Sequence, residues 1–88
     1  MKVSDVVFRD HPAQGYDTIT SHTFANGYGA SIITGKDAYT SEDAPYELAV
    51  LHNGDLCYDT ELTDDVLGYL TEAQVNDYLI KIQALPAK

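Results

Sequence analysis

Apolar positions change their spacing once along this chain. Short β-like runs occupy residues 3–60, and a helical stripe takes over from residue 62. Val3 to Phe8, with Val6, Val7 and Phe8 consecutive, predicts a short strand. His11-Pro12-Ala13-Gln14-Gly15 breaks it, because Pro12 has no amide donor and Gly15 permits positive φ. Thr18 to Phe24 is rich in β-branched residues, and Gly29 to Thr34 carries Ser31-Ile32-Ile33-Thr34. Asn26-Gly27 between them is the preferred pair for a type I′ hairpin turn. A two-residue loop there sets Ala25 opposite Tyr28, Thr23 opposite Ala30 and Ser21 opposite Ile32, although Gly27, Gly29 and Gly35 weaken that register. Residues 35–45 lack any apolar period and read as a surface loop.

The second hairpin signal is stronger. Tyr46 to Leu51 and Leu56 to Thr60 flank His52-Asn53-Gly54-Asp55. A two-residue turn at Asn53-Gly54 pairs His52 with Asp55, Val50 with Cys57 and Leu48 with Asp59. Ala49, Leu51, Leu56 and Tyr58 then form the expected core face. Thr63 would cap a short helix with Asp64 and Asp65 in its first turn, with Val66, Leu67 and Leu70 inward and an end near Gly68 to Leu70. Thr71 caps a second helix, with Gln74 completing a capping box. Val75, Tyr78, Leu79, Ile82 and Leu85 make its apolar stripe, and Pro86 ends it. Strands first and helices last predict one α+β domain over residues 1–88. It would be a small antiparallel sheet of four to five strands in two hairpins, packed against C-terminal helices.

With 88 residues the chain affords a single modest core, and a hydrophobic content of 44% is ordinary for a globular protein. The lone cysteine, Cys57, excludes an intrachain disulfide and any cysteine-built zinc site. The opening Met1-Lys2-Val3-Ser4-Asp5 lacks the apolar stretch of a signal peptide, and no run approaches a membrane span. The expectation is a reduced, cytoplasmic protein.

Charge changes the picture most. From Asp37 to Tyr78 there are eleven acidic residues and no Lys or Arg, and the whole chain carries −9. Such a field repels nucleic acid and anionic lipid, so neither is an expected partner. Catalytic and ligand motifs are thin. His11, His22 and His52 carry no triad signature, and Cys57 faces Val50 as a small hydrophobe would. Asp55, Asp59, Glu61, Asp64 and Asp65 lack the ligand spacing and central glycine of a calcium loop. Gly27-Tyr28-Gly29 and Gly35-Lys36 precede no helix, so they are not phosphate loops. No cofactor, metal or catalytic residue is expected.

The strings NGYGASII, YELAVL followed by LCYDT, and LTDDVLGYLT resemble small acidic accessory proteins of tailed bacteriophages, across roughly residues 22–85. That resemblance implies an accessory protein made in an infected bacterial cell, and it brings no catalytic motif. Helix and turn roles account for Asp55, Asp64, Asp65, Glu72 and Asp77. The acids without a local role are Asp37, Glu42, Asp43, Glu47, Asp59 and Glu61, and Tyr39 and Tyr46 would supply anchoring area beside them. The expected function is non-enzymatic: a DNA-mimicking inhibitor or modulator binding a basic surface of a host defence nuclease or transcription complex. The alternative is a structural or virion accessory protein whose acids serve only solubility. Under either reading an exposed sheet edge offers a route to a homodimer.

Overall fold

The computed structural model describes residues 6–35, 38, 40–57 and 66–86. Among them, six antiparallel strands form one sheet: β1 (Arg9–Asp10), β2 (Thr18–Thr23), β3 (Tyr28–Thr34), β4 (Tyr46–His52), β5 (Asp55–Leu56) and β6 (Leu67–Leu70). The order is β1-β2-β3-β4-β5, and β6 also pairs with β4, farther along the same outer edge as β5. One helix, α1 (Glu72–Gln83), covers one face. The architecture is α+β as expected, with more strands and fewer helices among the described residues than the sequence suggested.

The core lies between α1 and one side of the sheet. Val75, Leu79 and Ile82 meet Tyr28, Ala30, Ile32, Leu48 and Val50, joined by Phe24, Cys57 and Leu70. The helix begins as its sequence dictates. The Thr71 side chain accepts the Gln74 N–H and the Gln74 side chain accepts the Thr71 N–H, which satisfies two otherwise orphaned donors.

The Asn53-Gly54 turn also forms as expected. Both residues hold positive φ (52° and 88°), His52 stands opposite Asp55, and the Cys57 N–H donates to Val50 O. The proposed Leu48–Asp59 pair extends beyond the described residues at Asp59. Leu48 instead pairs with Leu67.

Three expectations need correction. In the first hairpin, Thr23 faces Gly29 and Ser21 faces Ser31, one residue away from the two-residue-loop register. Phe24 N–H donates to Tyr28 O and Gly27 N–H to Phe24 O, so the loop is Ala25-Asn26-Gly27, with Gly27 at φ 88°. This is the three-residue turn with a left-handed last residue. Asn26 is drawn into it because its side chain is engaged elsewhere: Nδ2 donates to the carbonyls of Ile82 and Leu85 at 2.9 Å each and of Gln83 at 3.2 Å, closing the end of α1.

The core face of β4 is the opposite one. Leu48 and Val50 lie under the helix, whereas Leu56 is 57% exposed. Ala49 and Leu51 are buried as well, on the other side, so β4 has no polar alternation to report its orientation. Tyr58 lies outside the described residues.

Finally, the short helix expected to end near Leu70 is a strand over Leu67–Leu70; Thr63, Asp64 and Asp65 lie outside the described residues. Tyr46 pairs with Leu70 and Leu48 with Leu67, so the longer span of β6 bulges, and Tyr69 takes φ 54°. A few residues cannot repay helix nucleation, while pairing satisfies the open edge of β4.

Candidate functional site

Strand direction gathers charge at one end of the sheet. There β2 begins, β3 ends, β4 begins, β6 ends and α1 starts. Asp10 stands opposite Thr18, and Asp17 is tied there by its N–H to Thr34 O (2.8 Å) and its carbonyl to His11 N–H (3.0 Å). Glu42 and Asp43 sit in the tight turn closed by Ser41 and Ala44, which bond each other's backbones just ahead of β4. Glu72 opens the helix directly after β6. All five carboxylate residues are exposed. From β1 to β6 the end crosses four strand intervals, about 19 Å at 4.8 Å each.

The sequence-derived patch fares unevenly. Glu42 and Asp43 are exposed as required. Glu47 is buried, 8% exposed opposite Ile33, which takes it out of any surface patch. Tyr46 is half-buried, packs against the core and holds Phe8 at 6.2 Å between ring centroids. Asp37, Tyr39, Asp59 and Glu61 lie outside the described residues. Sequence reasoning missed Asp10 and Asp17, which precede the acidic stretch, and assigned Glu72 to the helix alone. Only the pairing of β1, β2 and β3 brings these acids beside the Glu42-Asp43 turn.

The histidines are used in packing. His11 Nδ1 accepts the Ala13 N–H at 2.9 Å, and its ring stacks on Tyr16 at 4.7 Å. His22 meets Phe24 edge-on at 4.9 Å, and His52 lies 4.9 Å from the Tyr28 ring at the opposite end of the sheet from the acids. Cys57 is buried in the core. Among the described residues no three His, Cys, Asp or Glu side chains converge as metal ligands. A shallow cavity of about 250 Å³ lies at the β1–β2 edge, lined by Val7, Arg9, Ile19, Thr20 and Ser21, with neither His52 nor Cys57 in its wall. No described helix is long and apolar enough to cross a membrane.

Comparison with protein-family models, curated proteins and solved structures finds no match to this chain.

Proposed function

We propose that this chain is a non-enzymatic, phage-type interaction protein that seats its acidic sheet end on a basic surface of a host nucleic-acid-handling complex. The supporting observation is the spread of Asp10, Asp17, Glu42, Asp43 and Glu72 across one end of the sheet. Duplex DNA presents a charge about every 1.7 Å along its axis, so a competitor needs carboxylates distributed over a surface, as they are here. A defence nuclease or a transcription complex offers such a basic surface, and the sequence resemblance to phage accessory proteins supports an encounter in the cytoplasm of an infected bacterium.

Capture from bacterial lysate tests this with the wild-type chain and with a variant carrying Asp10→Lys, Asp17→Lys, Glu42→Lys and Asp43→Lys. The wild type should retain a protein that double-stranded DNA displaces, and the variant should lose it. Capture that survives both the reversal and 0.5 M salt, where the screening length is about 4 Å, refutes electrostatic docking. Recovery of the chain as a stoichiometric part of purified particles supports the virion reading instead.

A further inference from the structure

Asn26-Gly27 and Asn53-Gly54 share a chemical liability besides their turn preference. The backbone nitrogen after an asparagine can attack its side-chain amide, and glycine hinders that attack least because it has no Cβ. The fold holds the two pairs differently. At Asn26-Gly27 both reacting groups are occupied. The attacking nitrogen, Gly27 N–H, donates to Phe24 O at 3.1 Å. Asn26 Nδ2 donates to the Ile82, Gln83 and Leu85 carbonyls, and its Oδ1 accepts the Tyr28 N–H at 3.0 Å. At Asn53-Gly54 both residues are exposed, and neither the Gly54 N–H nor the Asn53 side chain has a hydrogen-bond partner among the described residues. A Cβ placed on Gly54 would meet no atom within 4 Å, so the space around the attacking nitrogen is open.

We infer that Asn53 is the site at which the folded chain spontaneously loses a side-chain amide, and that Asn26 is protected until the fold opens. This chemistry is independent of the function proposed above. The Gly54 nitrogen attacks Asn53 Cγ and gives its proton to solvent; the new C–N bond forms, the Cγ–Nδ2 bond breaks, and ammonia leaves. Water then opens the cyclic imide at either carbonyl, which leaves aspartate or its β-linked isomer at position 53. Water is the sole co-reactant. Local opening sets the rate. Asn53 is left-handed (φ 52°), which directs the Gly54 nitrogen away from the Asn53 side chain, so the turn must swing over before the ring closes. That swing breaks the Asn53 N–H bond to Gly27 O (2.9 Å) and the pairing of β5, a strand of two exposed residues. Such a tip opens at little cost. The same movement at Asn26 releases a half-buried side chain from three carbonyls and detaches the end of α1 from the first hairpin. The product adds a negative charge, and the β-linked isomer adds a methylene to the turn. Both changes fall at the end of the sheet opposite the acids.

The test incubates the full chain at mildly alkaline pH, folded and in urea, and follows both sites by peptide mapping that separates asparagine, aspartate and isoaspartate. In urea the two sites should react at rates within about threefold of each other, because local sequence then governs both. In the folded chain Asn53 should react about tenfold faster than Asn26, or more. Amide hydrogen exchange gives an independent readout: the Gly54 amide should exchange at nearly the free-peptide rate, while the Gly27 amide is protected. The proposal is overturned if Asn26 reacts as fast as Asn53 in the folded chain, or if folding slows Asn53 as much as it slows Asn26. Protection of the Gly54 amide equal to that of Gly27 overturns it as well.

Discussion

Replacing Asn26 should unfasten the helix end and the first hairpin together. Its Nδ2 carries two hydrogens, so the two contacts at 2.9 Å, to Ile82 and Leu85, are the full bonds, and the more exposed Gln83 carbonyl at 3.2 Å shares one. Its Oδ1 accepts the Tyr28 N–H at 3.0 Å. Asn26→Ala therefore deletes three bonds around part-buried groups that water replaces only partly. At about 0.5–1.5 kcal/mol each, the loss is about 2–3 kcal/mol. For a domain of this size that corresponds to a fall of about 10–20 °C in Tm. Asn26→Asp is the sharper probe. It keeps the acceptor for Tyr28 but turns a negative oxygen toward helix-end carbonyls, so it should cost about 1 kcal/mol more than Ala. The carbonyls raise the folded pKa of that new carboxyl. Its extra penalty is therefore present above that raised pKa and vanishes as pH falls below the unfolded value of about 3.9. Urea unfolding followed by far-ultraviolet circular dichroism, with Ala and Asp variants compared at each pH, reads both effects. A cost below about 0.5 kcal/mol for Ala, or an Asp variant no worse than Ala at neutral pH, would refute the clamp.

Gly29→Ala should destabilise by about 2 kcal/mol or more in the same unfolding assay, since a Cβ there meets the His22 carbonyl oxygen and the Thr23 Cα, both backbone atoms that cannot swing aside. Tyr69→Asn should stabilise by about 0.5 kcal/mol, because Tyr69 holds φ 54° while 60% exposed and Asn tolerates that conformation better. A loss of that size would instead show the ring to be packed. Leu79→Ala, at a position with 0% exposure in the centre of the helix–sheet interface, should cost about 3 kcal/mol, and Leu79→Met less than about 1.5.

The two Asn-Gly pairs show which parts of the fold were legible. At Asn53-Gly54 the turn depends only on its own residues, so the local preference for paired positive φ decides the register. At Asn26-Gly27 the same dipeptide adopts another turn because the Asn side chain reaches carbonyls 56 to 59 residues away. The capping box of α1 was readable for the first reason, since both partners lie within one turn. The face of β4 was unreadable for a related one: burial of Leu48 and Val50 on one side and Ala49 and Leu51 on the other erases the alternation that orients a strand. Leu67–Leu70 looked helical because its spacing fits either state, and the edge of β4 supplied the deciding bonds.

The acidic end was hidden for the same physical reason, since Asp10, Asp17, Glu42, Asp43 and Glu72 become neighbours only through strand pairing. Their proximity has an energetic sign. Carboxylates about 5–10 Å apart in water repel by about 0.4–0.8 kcal/mol before screening. Glu72 is partly offset by the positive start of α1. A net cost of about 1 kcal/mol falls on a fold whose stability rests on Val75, Leu79, Ile82, Leu48 and Val50, each at 0% exposure, so the core tolerates it. Salt removes that repulsion from the free chain and also removes the attraction to a basic partner. Folding stability should therefore rise with ionic strength over the same range in which partner binding falls. A protein whose acids only confer solubility would show the first trend without the second.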